Sequence, residues 1–121
     1  MLNGKRVLLV EDETLVAMLV EDMLVDEGCV IAATATRLAE AKALAADPTL
    51  EIDLAILDVN LAGEPVFPVA EILARRGVLF AFATGYGAGG LPESWRERPV
   101  LQKPFTAAEV RAVLEKVVGG G

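Results

Sequence analysis

Five polar positions stand apart because each closes a short run of strand-forming residues. Glu11 and Asp12 follow Val7–Val10, Asp58 follows Leu54–Leu57, Thr84 follows Val78–Ala83, and Lys103 follows Val100–Gln102. Taken singly, a loop carboxylate is ordinary solvated surface. Taken together, three carboxylates, a hydroxyl and an ammonium at the ends of successive apolar runs describe a site. Carboxylates brought together repel: two like charges about 4 Å apart at an effective dielectric of about 20 cost on the order of 4 kcal/mol. A hard divalent cation offsets that cost, and Mg²⁺ takes one or two carboxylates together with waters and phosphate oxygens. Lys103 adds further positive charge. Asp58 is then a candidate nucleophile, since carboxylates form aspartyl phosphates. Mg²⁺, Thr84 and Lys103 would stabilise the oxygens of a transferred phosphoryl group.

The elements that would position these residues are legible in the hydropathy pattern. Val7–Val10, Cys29–Ala33, Leu54–Leu57, Val78–Ala83 and Val100–Gln102 read as strands, and continuous apolar runs of this kind suit strands covered on both faces. Between them, Glu13–Glu27 reads as a helix with Val16, Leu19, Val20 and Met23 on one face, Asp12 at its N-cap and Gly28 past its C-terminus. Thr36–Ala46 is an alanine-rich helix stopped by Asp47-Pro48. Pro65–Arg76 is a third helix with its prolines in the first turn, and Leu91–Arg98 a short, weak one. Thr106–Val118 closes the pattern, with Thr106 and Glu109 forming a capping box and Val110, Val113, Leu114 and Val117 forming the apolar stripe. Strands alternating with helices at this spacing predict an α/β fold, an open, doubly wound five-stranded parallel sheet with flavodoxin-like (βα)5 order. Ligands of such sheets bind beyond the carboxyl ends of the strands, which is where the five polar positions fall.

Composition narrows the chemistry. The 121 residues are 54% hydrophobic with a net charge of −7, enough for one cored domain and unfavourable for binding nucleic acid through the overall field. The absence of histidine excludes Ser-His-Asp and Cys-His catalysis and HExxH zinc sites. Cys29 has no partner for a disulfide and is expected to be an inert buried thiol. There is no secretory leader pattern and no apolar run long enough to span a bilayer. The expectation is one domain over residues 1–121, cytoplasmic, without membrane insertion and without a separate output domain.

At this level of detail the chain resembles a known family. Val7-Leu8-Leu9-Val10-Glu11-Asp12-Glu13, Leu57-Asp58-Val59-Asn60-Leu61, Ala83-Thr84-Gly85 and Lys103-Pro104-Phe105 are similar, in order and spacing, to the signature of response-regulator receiver domains. The resemblance implies that Asp58 is the phosphoacceptor, charged by a histidine kinase or histidine phosphotransfer protein. It implies that Asp12 ligates Mg²⁺ directly, Glu11 acts on the metal through water, and Asn60 contributes its backbone carbonyl. Thr84 matches the switch hydroxyl, Lys103 the lysine that pairs with the phosphoryl oxygens, and Lys103-Pro104 the family's cis peptide. Phe82-Ala83-Thr84-Gly85-Tyr86-Gly87 is similar to the motif of the FATGUY receivers, with one residue fewer between glycine and tyrosine. Val100 stands where typical receivers carry a switch aromatic, so the usual threonine–aromatic coupling lacks its aromatic partner. Tyr86 is either a replacement in that switch or a plain loop residue, and with Asn60 it flanks the phosphoryl site, where its bulk would hinder water. The glycine-rich stretch from Gly85 to Gly90 is expected to be a loop that phosphorylation orders. Trp95 is either an interface anchor or packed on its own domain.

The function expected is a single-domain response regulator of a two-component phosphorelay that signals to a downstream protein by contact. It would catalyse only its own phosphorylation and dephosphorylation. Two alternatives use the same elements. A small Mg²⁺-dependent aspartate-nucleophile phosphohydrolase would place its nucleophile on the first strand, with an Asp two residues on, whereas Asp58 follows the third run and Asn60 stands at that place. A degenerate flavodoxin-like binding module leaves the acid cluster unexplained, because phosphate ligands avoid carboxylates.

Overall fold

The computed structural model describes residues 2–85 and 91–120, so Tyr86 and the other residues of the glycine-rich stretch after Gly85 lie outside the described residues. Five strands form one parallel sheet: β1 (Arg6–Val10), β2 (Val30–Ala35), β3 (Leu54–Asp58), β6 (Leu79–Thr84) and β7 (Val100–Gln102), in the order β2-β1-β3-β6-β7. A two-stranded hairpin, β4 (Asn60–Leu61) with β5 (Glu64–Pro65), projects beyond β3. The described residues also form four α-helices: α1 (Thr14–Asp26), α2 (Leu38–Ala46), α3 (Phe67–Arg75) and α4 (Ala107–Gly120).

Side chains alternate across a strand, so each apolar run feeds two cores. Leu8 and Val10 of β1, Ala55 and Leu57 of β3, and Phe80 and Phe82 of β6 pack with α2 and α3. Val7, Leu9, Leu54, Ile56 and Leu101 pack on the other face with α1 and α4. This double cover explains why the strands are continuously apolar rather than alternating. The expected doubly wound five-stranded sheet is what forms. Among the described residues no helix is long and apolar enough to cross a membrane.

Several local expectations need correction. The buried side of α1 is Ala17, Val20 and Leu24, while Leu19 and Met18 are exposed and Leu15 is 82% exposed. Residues 15–20 are apolar all round, so periodicity cannot choose a face; the small Ala17 lets the helix approach the sheet. Asp12 does not cap α1. Glu13 is the N-cap and makes no side-chain cap bond, and the Asp12 carboxylate instead accepts from the Ala62 N–H at 3.0 Å. Pro65 is paired in the hairpin rather than in α3, whose first turn holds Pro68. The weak helix at 91–98 contracts to a single 3-10 turn, Glu93–Trp95, because Pro92 and Pro99 bracket it and leave no room for i→i−4 bonding. Trp95 packs on its own domain, its ring centroid 5.8 Å from Phe80 and 6.0 Å from Phe82.

Other expectations hold in detail. The Thr106 N–H donates to Glu109 Oε1 at 2.9 Å and the Glu109 N–H to Thr106 Oγ1 at 3.2 Å, a complete capping box. Cys29 is buried and free, and burial pushes its thiol pKa up. Gly28 ends α1 at φ +91°, with its N–H on Val25 O and that of Cys29 on Leu24 O, the Schellman arrangement. A Cβ there would lie 2.4 Å from Asn3 Oδ1 and 3.2 Å from Asn3 Cα. Strain at positive φ and this crowding act together, so Gly28→Ala is expected to destabilise the domain by about 1–3 kcal/mol in urea unfolding. An unchanged midpoint would refute the assignment of this turn as sterically closed.

Candidate functional site

Each strand delivers its last residue, or the next one, to the same end of the sheet. Asp58 is the final residue of β3 and pairs in register with Ala83, one before Thr84. Thr84 ends β6 opposite Gln102 of β7, and its carbonyl accepts the Lys103 N–H at 2.8 Å. Glu11 follows β1 and is fastened by its N–H to Ala35 O at 3.0 Å. The Lys103–Pro104 peptide bond is cis. Glu11, Asp58 and Thr84 are the buried polar or charged residues among those described, at 2%, 6% and 5% exposure. In an otherwise apolar core, that concentration at one end marks the site.

Lys103 binds two of the acids at once. Its Nζ donates to Glu11 Oε1 at 2.8 Å and to Asp58 Oδ2 at 3.0 Å. Glu11 Oε2 also accepts the Glu13 N–H at 3.1 Å, and Asp58 Oδ1 accepts the Asn60 N–H over a long 3.4 Å. Every buried side-chain nitrogen or oxygen among the described residues has a partner. One ammonium between two carboxylates leaves the pair under-compensated. Burial, with Glu11 beside it and against the help of Lys103, pushes the Asp58 carboxyl up to about 7. Burial also opposes the charge on Lys103, but the Glu11 and Asp58 carboxylates outweigh it and raise the lysine above its ordinary value. Asp12 is lowered despite its burial, by the Ala62 N–H and by hydrogen bonding with Asp58 and Glu11.

The structure thus joins Glu11, Asp58 and Lys103 directly, places Asp12 against the acids, and ties Thr84 to Lys103 through the backbone. The Asn60 side chain turns away from them, accepting the Gly63 N–H at 2.7 Å and bracing the hairpin. Tyr86 is outside the described residues. Two contributors escape sequence inspection: Ala62, whose N–H holds Asp12, and Glu13, whose carboxylate lies within 4.8 Å of those of Glu11 and Asp12. Neither has a sequence signal beyond the turn residue Gly63 and the adjacent acids. Glu11, Asp12 and Asp58 with Lys103 carry a net formal charge of about −2 in hard oxygen donors, which suits one divalent cation.

Neither a family model nor a curated protein matches the chain. Solved structures do. The solution structure of SdrG from Sphingomonas melonis Fr1 is 44% identical, with 95% of this chain and 97% of that one covered and a TM-score of 0.83. The solution structure of the Erythrobacter litoralis PhyR response regulator REC domain is 30% identical over 97% of this chain and 92% of that one, with a TM-score of 0.81. This chain belongs to the response-regulator receiver domains. A receiver is a phosphorelay module, and that assignment leaves the phosphohydrolase and the flavodoxin-like binding module without support. The BeF3-activated conformation of SdrG, named from Pseudomonas melonis Fr1, superposes on this receiver with a TM-score of 0.78 at the same 44% identity over 95% and 97% of the two chains.

The raised Asp58 pKa has a thermodynamic consequence with a definite sign. An acid whose folded pKa exceeds its unfolded value of about 4 destabilises the fold wherever it must ionise. The penalty is absent below about pH 4, grows as pH rises and is complete above about 7. In chelator-treated protein, Asp58→Asn is therefore expected to raise stability by about 2–3 kcal/mol at about pH 8 and far less at about pH 5. Urea unfolding at the two pH values measures this; an equal difference at both would contradict it.

Proposed function

We propose that Asp58 is the phosphoacceptor of this receiver, that a phosphohistidine on a kinase or phosphotransfer protein is its donor, and that the output is a change in protein contacts. The observation that carries this reading is the buried carboxylate of Asp58 at the end of β3, sharing Lys103 with Glu11. An Asp58 carboxylate oxygen attacks phosphorus, the donor P–N bond breaks, and the electron pair leaves on the imidazole nitrogen. Lys103 already touches Asp58 and needs only a small shift to meet the new phosphoryl oxygens. Thr84, at the adjacent strand end, would offer its hydroxyl to the same oxygens. Asp12, Asp58 and the Asn60 carbonyl, with Glu11 through water, would hold Mg²⁺, whose charge would keep Asp58 ionised and counter the phosphoryl charge. Tyr86, two residues beyond Thr84, would slow hydrolysis by its bulk. The reaction is confined to the domain's own aspartate, in one domain spanning residues 1–121 and free of nucleic-acid contacts.

The donor needs a docking surface beside Asp58. The first turns of α1 begin directly after the acid pair and expose Leu15, Met18 and Leu19, an apolar face suited to a helix of the donor.

Incubation with Mg²⁺ and either acetyl phosphate or a phosphohistidine donor is expected to add one phosphoryl group by intact mass, and Asp58→Ala is expected to add none. Labelling that persists in Asp58→Ala, or that fails with both donor types, would overturn the assignment. Mg²⁺ at a hundredfold over its Kd is expected to stabilise the folded domain by about 2.7 kcal/mol. Asp12→Asn should show a smaller rise in Tm, and equal rises in both proteins would remove Asp12 from the metal site.

A further inference from the structure

Packing does not account for one backbone outlier. Ala62 is the one non-glycine residue at positive φ among those described, at +50°. It is exposed, so burial of its side chain does not offset the strain. Strain of this kind persists where surrounding contacts over-determine the conformation, and it concentrates where function needs a fixed placement.

The contacts that hold Ala62 form one chain. Leu61 and Val66, 2% and 0% exposed, root the β4–β5 hairpin in the core shared with α2 and α3. The Val66 N–H donates to Val59 O at 2.9 Å and closes its base. At the tip, the Gly63 N–H donates to Asn60 Oδ1 at 2.7 Å, with Gly63 at φ +92°. An asparagine side chain that accepts from a nearby backbone N–H is a common way to fix a turn. With Gly63 tied back, the Ala62 N–H reaches out of the hairpin to Asp12 Oδ2 at 3.0 Å, across 50 residues of sequence. A carboxylate has about four lone-pair sites. Asp12 can therefore keep the Ala62 N–H and still offer oxygen lone pairs to a cation.

We propose that the hairpin tip is a positioning element for a divalent cation, in which the Asn60 side chain acts through Gly63 and Ala62 to aim the Asp12 carboxylate. This role presupposes that Asp12 is a metal ligand, as the proposed function has it. It belongs to the Asn60 side chain and is separate from any role of the Asn60 carbonyl. A hydrogen bond behind a ligating carboxylate fixes its orientation, so less ordering remains when the cation binds.

Mg²⁺ titration of the full chain, followed by backbone amide shifts, gives the Kd. Solvent exchange of the Ala62 amide in chelator reports on the brace itself. Asn60→Ala, at an exposed position, leaves the carbonyl in place. It is expected to raise the Kd about tenfold and to speed Ala62 exchange. Asn60→Ser, whose hydroxyl fixes turns more weakly, is expected to fall between it and the unaltered chain. Asp12→Ala is expected to speed Ala62 exchange as well, and adding Asn60→Ala to it to speed exchange no further, because both act on one bond. A hairpin with a merely structural role would lower the urea midpoint and leave the Kd unchanged. That result, an Ala62 exchange rate equal in all variants, or additive effects in the double variant would each overturn the proposal. No Mg²⁺ binding by the unaltered chain would instead remove Asp12 as a metal ligand, and the positioning role with it.

Discussion

A single ammonium held between two buried carboxylates governs the site. Lys103 reaches Glu11 and Asp58 across 92 and 45 residues of sequence. Burial, with Glu11 beside it and one ammonium shared between two acids, raises the Asp58 carboxyl, while the two carboxylates hold the lysine charged. The imbalance makes the site receptive to further positive charge. Any further anion beside Asp58 would compete for the same three donors of Lys103.

The sheet turns sequence-distant residues into neighbours. In a parallel sheet every strand runs the same way, so the residues that end β1, β3, β6 and β7 meet at one edge. Register sets how closely they meet: Leu57 pairs with Phe82, Asp58 with Ala83, and Thr84 with Gln102. Helices on both faces bury β3 and nearly all of β1 and β6, while the outer strand β2 stays largely half-exposed. The hairpin after β3 closes the edge further by donating the Ala62 N–H to Asp12, with Ala62 at φ +50° and Gly63 at φ +92° in its turn. Ala62 carries a strain of order 1 kcal/mol for that placement.

Along β6 the two ends of the domain have different chemistry. One carries Thr84 at the acidic site; the other carries Phe80 under the Arg98 guanidinium. Phe82 lies between, its ring 5.4 Å from that of Phe80 in edge-on contact, with Trp95 against both. Aromatic packing of this kind fixes the strand firmly. The Val100 that stands where other receivers have an aromatic pairs with Phe82, so bulk near this position is supplied by β6 and the 3-10 turn rather than by β7.

The sequence alone determined the sheet, its double cover and the polar residues at its edge, because uninterrupted apolar runs and their breaks are local properties of the chain. It also determined the Thr106–Glu109 cap, whose partners are three residues apart. Tertiary structure decided which side of α1 is buried, since residues 15–20, apolar all round, carry no local preference. It decided that Asp12 answers Ala62 rather than the end of α1, because a carboxylate goes to the donor the fold brings nearest. It decided, finally, that Lys103 divides itself between Glu11 and Asp58: no spacing in the chain encodes how one charge is shared among acids that meet only after the strands have paired.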